Sequence, residues 1–432
     1  MANQQIFCNT PWYEAHIYWD GGLGICCQEN RRLSTDPKYN IKTMSLHEWF
    51  NSQPVRQLRQ AVLSDNPTDI CYRCYHEEQV TGTSRRHRAN QKSVIFTRRG
   101  FADSFQQSPG YDHFKLSETQ DGFTNTAPID IHVDLGNYCN LACKMCWSGA
   151  SSTIATQNVL WGIEEHRQYL GNDWTRDPVV WARFLNDLLG ISKLKNIHFM
   201  GGETLLTKRF EDLVDFLTLH KRFDVSFSFV TNGTTYNQNL IDKLKKFTRV
   251  GIEVSIETIT LHNNYIRQGT DTELVLSNIQ KYKENCDNST ISVTVRPAIS
   301  ALSIGNYYTL LRYCLEHQLI VQSLLVTDPA HLDVRVLPNA IKQEYMKPYE
   351  TIILELADVD NEIEYNHSNK FSYKKSIKLQ AQRALDLLRQ PTLDPALLKN
   401  MVAYCSKWDK VYSLDAIKLY PELADIFKQY DY

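Results

Sequence analysis

Three observations predict an α/β fold for this chain. Six short segments have the composition and spacing of strands: 129–134, 196–200, 225–230, 251–256, 291–295 and 319–325. Helical stretches at 181–189, 210–220, 239–247, 274–285 and 307–317 fall between them. Eight of the eleven cysteines lie before residue 147, ahead of or at the start of this series. Strands that alternate with helices argue for parallel βα units. Such units carry their functional loops at the carboxyl ends of the strands.

The flanks read differently. Residues 1–80 form a small cysteine-bearing module. Asp20-Gly21-Gly22 lies between two strand-like runs and reads as a hairpin turn. Residues 46–63 have a helical period, and Cys71 and Cys74 close the module. Residues 81–127 are polar, show no clear period and read as a linker. The βα series occupies 128–334. Residues 335–432 read as helices punctuated by Pro338, Pro348, Pro391, Pro395 and Pro421.

At 432 residues the chain is long enough for about two to three domain-sized units. Its 42% apolar and 22% charged composition supports a sizeable core and argues against wholesale disorder. The formal net charge of −2 does not indicate a globally basic nucleic-acid binder. A local basic stretch, Arg85-Arg86-His87-Arg88 with Lys92, Arg98 and Arg99, reads as a solvated segment or one pinned to carboxylates. The rival reading is a phosphate contact. No apolar run approaches the roughly 18 residues that span a bilayer. The first residues lack a basic region followed by an apolar stretch. A cytoplasmic location is the expectation.

In a reducing compartment, closely spaced cysteines read as metal ligands rather than disulfides. Cys139, Cys143 and Cys146 follow the first strand of the series directly. Three thiolates from one loop suit a 4Fe–4S cluster with one iron left open, since four thiolates are usual. A zinc knuckle with a remote fourth ligand fits the triplet taken alone. Cys8, Cys26, Cys27, Cys71 and Cys74 form a second group. Cys286, Cys314 and Cys405 sit in helical contexts and read as buried small apolar residues. No histidine pair has ligand spacing, and no phosphate-binding loop or hydrolase elbow is present.

The triplet in this position resembles the signature of the radical S-adenosylmethionine (SAM) enzymes. Further marks fall where that superfamily has them. Gly201-Gly202-Glu203 follows the second strand, Thr231-Asn232-Gly233 the third, and Ser255-Ile256-Glu257 ends the fourth. Arg267 lies twelve residues beyond Ser255. The chain departs from the family pattern at Met145, Thr204 and Glu257-Thr258. The amino-terminal cysteines, with Pro11, Trp12 and the Leu46–Ser52 stretch, resemble the SPASM or twitch modules of peptide-modifying radical SAM enzymes. Those modules usually follow the barrel, and here the module precedes it.

The resemblance implies a partial (β/α)6 TIM-type barrel behind a twitch-like module. It implies that Cys139, Cys143 and Cys146 hold a catalytic 4Fe–4S cluster. Gly201, Gly202 and Glu203 would receive the amino group of SAM, with Thr231, Asn232, Ser255 and Glu257 around the nucleoside and Arg267 on the carboxylate. Cys8, Cys26, Cys71 and Cys74 would hold an auxiliary 4Fe–4S cluster, with structural zinc as the alternative. Reductive cleavage of SAM would then drive hydrogen abstraction from a peptide or protein side chain. A one-electron reductant such as flavodoxin or ferredoxin would serve it. The rival readings are modification of a nucleotide, nucleic acid or small metabolite, and a zinc-stabilised interaction protein without catalysis.

Overall fold

The computed structural model describes residues 7–29, 31–66, 68–96, 111–286, 290–361 and 372–430. In chain order its strands are β1 (Glu14–Ile17), β2 (Leu23–Gly24), β3 (Asp130–Asp134), β4 (Ala142–Cys143), β5 (Asn196–Met200) and β6 (Ser226–Thr231). There follow β7 (Arg249–Val254), β8 (Arg267–Gln268), β9 (Ile291–Val295), β10 (Ala298–Ile299), β11 (Ile320–Val321) and β12 (Leu324–Leu325). The chain divides into two compact units. One comprises Met1–Cys139, Ser148–Phe229 and Gln238–Val250; the other comprises Asn140–Trp147, Val230–Asn237 and Gly251–Tyr432.

In the first unit, β6, β5, β3 and β1 pair in parallel, and β2 returns antiparallel on β1. The register aligns His16, His132, His198 and Ser228 in one row. Glu14, Asp130, Asn196 and Ser226 form another. Because side chains alternate, one face of these strands is polar and the other apolar. Ile131, Val133, Ile197, Phe199, Phe227 and Phe229 make the apolar face, and all are buried. The helix Lys208–Leu219 covers it, with Phe210 packed edge-on to Phe199 at 4.8 Å between ring centroids. Each such aromatic side chain contributes about 1.5–3 kcal/mol by leaving water.

Two features of this unit differ from the sequence reading. Strand β1 belongs to the amino-terminal module yet pairs residue for residue with β3, from Glu14↔Asp130 to Ile17↔Val133. The 81–127 segment, read as a linker, contains the helices Arg85–Phe96 and Tyr111–Thr119 among its described residues. The first shows no apolar stripe because Arg85 and Arg86 take inward positions. Arg85 is bidentate on Glu14 at 2.8 Å, and Arg86 reaches Glu78 at 2.6 and 2.9 Å. Two residues of the basic stretch are therefore pinned to carboxylates. The Lys92 side chain and Arg98 and Arg99 lie outside the described residues. The helical period at 46–63 is two helices, Leu46–Phe50 and Gln53–Leu63. Pro54, in the first turn of the second, has no N–H with which to continue the first.

In the second unit β9 and β11 pair in parallel, as do β10 and β12, while β4 and β8 pair antiparallel. The expected strand at 319–325 is broken into β11 and β12. Between them the Ser323 N–H and hydroxyl both donate to Gln380 on the helix Tyr373–Leu388. The tail is helical as expected, with Asn339–Glu355, Tyr373–Leu388 and Pro395–Tyr412 as its long elements. Among the described residues, no helix is long and apolar enough to cross a membrane.

Candidate functional site

In the first unit, Cys8, Cys26, Cys71 and Cys74 line one cavity, together with Leu58 and Val62. Cys27 does not line it. Three separate segments deliver the thiols. Cys8 precedes the short turn Thr10–Trp12 and donates to Thr10 Oγ1 at 3.2 Å. Cys26 follows β2, where the Glu29 carboxylate accepts from the Ile25 N–H and from the Tyr18 hydroxyl at 2.7 Å. Cys71 and Cys74 open the helix Tyr72–Thr81. Burial pushes the Cys8 thiol up to about 12 and the Cys26 thiol well above its ordinary value. Thiolates are unfavourable in so apolar a place unless a cation accompanies them. No three of these four sulfurs lie within 4.8 Å of one another. Around one zinc, with Zn–S near 2.3 Å, tetrahedral geometry would set sulfurs about 3.8 Å apart. The donor set, four thiols around one cavity, fits a thiolate-bound metal centre.

The same unit holds a second polar cluster that sequence spacing did not suggest. Ligand atoms of Glu14, Asp130 and His132 lie within 4.8 Å of one another, and all three residues are buried. They come from β1 and β3, so only the parallel register brings them together. Arg85 already supplies the compensating charge, since its Nη2 donates to both oxygens of Glu14. His16 reaches Asp134 at 3.4 Å, and His198 shares a 2.7 Å hydrogen bond with Ser228.

The loops that end β3 and β5 are stitched together. Gly202 N–H donates to Ala150 O at 2.9 Å, and Glu203 N–H to Tyr138 O at 2.7 Å. Both glycines have positive φ, +78° and +61°. A Cβ on Gly202 would meet Tyr138 O at 2.5 Å, and one on Gly201 would meet the Asp134 carboxyl carbon at 2.7 Å. Only glycine allows this approach. Glu203 is buried and accepts from the Leu205 N–H at 3.2 Å. Cys139 ends this stretch, with its N–H on Ser152 Oγ at 3.3 Å and its carbonyl accepting from Thr153 Oγ1 at 2.6 Å.

Cys143 and Cys146 belong to the second unit, where the Cys146 N–H closes a turn on Cys143 O at 2.9 Å. Cys143 lies on β4, directly opposite Arg267 on β8. Arg267 Nε and Nη2 donate to the two oxygens of Glu257 at 2.5 and 2.7 Å, and its Nη1 approaches Cys143 Sγ at 3.5 Å. Glu257 is fully buried and also accepts from the Ala298 N–H at 3.1 Å. The structure thus places Arg267, Glu257 and Cys143 together. Thr231 and Ser255 meet through a backbone bond of 2.9 Å, and Asn232 donates to Asn140 at 2.8 Å.

Lys144, inside the cysteine triplet, was not singled out in the sequence. It is buried, with Nζ donating to Tyr265 O at 2.7 Å and lying 3.8 Å from the Tyr265 ring centroid and 4.6 Å from that of Trp408. Tyr404 closes the cage by donating its hydroxyl to Lys144 O at 2.7 Å. Burial pulls the Lys144 ammonium down to about 8. The carboxy-terminal helix Pro395–Tyr412 therefore holds the cysteine loop, a role its sequence did not reveal.

The family comparisons agree with this arrangement of motifs. Residues 133–300 match the Radical SAM superfamily, and residues 8–75 match SPASM, an iron-sulfur cluster-binding domain. No curated protein matches the chain by sequence. Among solved structures it is similar to anSMEcpe with bound AdoMet and Cp18Cys peptide, at 17% identity and a TM-score of 0.38, covering 54% of this chain and 61% of that one. It is also similar to Streptococcus suis SuiB bound to S-adenosylmethionine, at 12% identity and a TM-score of 0.34, covering 70% and 62%. TYW1 with a lysine-pyruvate adduct bound gives 13% identity and a TM-score of 0.30, covering 51% and 72%. The chain spans about three-fifths of the length of anSMEcpe and SuiB. The chain thus carries a radical SAM domain that contains the cysteine triplet and an SPASM iron-sulfur domain that contains the four-thiol cavity.

Proposed function

We propose that this chain is a radical SAM enzyme that abstracts a hydrogen atom from a peptide or protein side chain. One observation carries the reading. The triplet Cys139, Cys143 and Cys146 lies inside the radical SAM match, and the cavity lined by Cys8, Cys26, Cys71 and Cys74 lies inside the iron-sulfur match. In this reading the triplet holds a 4Fe–4S cluster and the cavity holds an auxiliary one. When bound, the cluster and SAM together supply a carbon radical able to take hydrogen from an unactivated C–H bond.

The remaining work falls to the chain's own residues. Gly201 and Gly202 let the loop pack against Asp134 and Tyr138, and Glu203 would offer a carboxylate to the amino group of the cofactor. Thr231, Asn232 and Ser255 stand at the carboxyl ends of strands, where a nucleoside is received. The polar face formed by His16, His132, His198 and Ser228 offers hydrogen bonds to a polar substrate such as a peptide. Enclosure by the surrounding strands would keep a reactive radical from solvent. A flavodoxin or ferredoxin would deliver the electron.

The test is iron, sulfide and zinc per chain after anaerobic reconstitution, with 5′-deoxyadenosine formation under a chemical reductant. The wild type should carry about eight irons, and replacement of Cys139, Cys143 and Cys146 by Ala should leave about four and abolish 5′-deoxyadenosine. Zinc without iron in the wild type would overturn the reading in favour of a non-catalytic interaction protein. A peptide library then tests the substrate class against nucleotides and small metabolites.

A further inference from the structure

We propose that Arg267 is a positioning residue for the cluster thiolate of Cys143. Glu257 is the residue that aims it. The inference rests on the reading of Cys143 as a cluster ligand.

The geometry is specific. Cys143 and Arg267 are cross-strand partners of a two-residue antiparallel ladder, so their side chains leave the backbone on the same face. A guanidinium is planar and holds its five N–H groups in a fixed fork. Glu257 takes the Nε and Nη2 side of that fork with both oxygens. The Ala298 N–H fixes the carboxylate in turn. Nη1 is then directed at the sulfur of Cys143, 3.5 Å away. Glu257 is fully buried and Arg267 is 9% exposed, so water neither screens the pair nor competes for its hydrogen bonds. Three of the five N–H groups are thus used within the protein, and Nη1 and Nη2 each keep one more for a second acceptor.

A donor on a cluster thiolate has a definite electronic effect. Reduction adds one negative charge to the cluster, and an N–H aimed at its sulfur stabilises the reduced form more than the oxidised one. Hydrogen bonds to the sulfurs are among the factors that set the potentials of iron–sulfur centres. Loss of the Arg267 donor should therefore lower the midpoint potential of the triplet cluster. Arg267→Lys keeps the charge and loses the fork. Glu257→Gln keeps the shape and loses the second acceptor oxygen. Each should make reduction about tenfold less favourable, which for one electron corresponds to about 59 mV.

The experiment is an electron-paramagnetic-resonance redox titration of anaerobically reconstituted wild type, Arg267→Lys and Glu257→Gln, without SAM. Direct titration of SAM affinity accompanies it. The expected result is a more negative midpoint in both variants, with SAM affinity changed less than the reduction equilibrium. An unchanged midpoint with SAM affinity lost would overturn the inference and return Arg267 to the cofactor carboxylate. If the variants do not take up iron, the wild type with isotopically labelled arginine decides. Hyperfine coupling from labelled nitrogen to the reduced triplet cluster supports the assignment, and its absence overturns it. Failure of the underlying reading is separately visible, because wild type and the triplet-to-Ala variant would then carry equal iron.

Discussion

The two cysteine sites of this chain gather their thiols differently. The amino-terminal cavity draws four thiols from three segments, and its walls combine Leu58, Val62, Ile25 and Ile70 with Glu29, Arg85 and Arg86. Its thiols are pushed towards the neutral state by burial. The Cys143–Cys146 turn is a short local element with charged side chains at both edges. Arg267 stands beside Cys143, and Lys144 is caged by Tyr265 and Trp408. The first arrangement makes metal binding part of the folding of its unit. The second keeps a charge and a hydrogen-bond donor next to a sulfur, where they act on the electrons of whatever is bound.

Double replacement of Cys71 and Cys74 by Ala should separate these roles most sharply. Iron should fall by about half, the triplet signal should persist, and thermal stability should drop, as calorimetry with iron analysis would show. The comparison breaks if the same variant leaves the melting temperature unchanged. Arg85→Ala comes next. It leaves Glu14 buried without its partner, at a cost of about 3–5 kcal/mol, measured by denaturant titration. Phe210→Ala, which touches neither cysteine site, should cost a similar 3–5 kcal/mol and leave iron content unchanged.

Smaller effects sharpen the contrast. Tyr404→Phe deletes one hydrogen bond to the Lys144 carbonyl, worth about 1 kcal/mol. It should speed loss of iron to a chelator from the triplet and not from the amino-terminal cavity. The smallest effect concerns His262. Burial lowers its affinity for a proton, and its ring is held between Thr260 and the Leu419 carbonyl. The folded state therefore binds this proton less readily than the unfolded state. Stability from this contact is full above the ordinary histidine value near 6.5 and declines as pH falls below it. Denaturation midpoints at neutral and mildly acidic pH should show a slope that shrinks in His262→Gln.

Much of the second half of this picture was legible in the sequence for physical reasons. The alternation in 129–134, 196–200 and 225–230 reflects two faces with different neighbours, and β3, β5 and β6 follow it. The cysteine triplet and Gly201-Gly202-Glu203 are local motifs, so no long-range knowledge was needed to find them. What escaped detection is non-local. Residues 14–17 do not announce that they will pair with 130–133. The helix Arg85–Phe96 hides its inward face because that face is charged. Lys144 was not singled out because the residues that cage it, Tyr265, Tyr404 and Trp408, are distant in sequence. The pairing of Glu257 with Arg267, ten residues on, could not be read from strand position.

The pairing of β1 with β3 also imposes an order of events on the growing chain. The partners are 116 residues apart in sequence. At synthesis rates of about 5–20 residues per second, β1 waits roughly 6–23 s for its partner strand to be made. Through that interval Cys8, Cys26, Cys71 and Cys74 have all emerged, while one edge of β1 has no strand to bond. Closing so long a loop is slow compared with local helix formation. The edge of β1 is thus paired only once β3 has been made, and a metal entering the four-thiol cavity would arrive within that window or wait for the unit to open again.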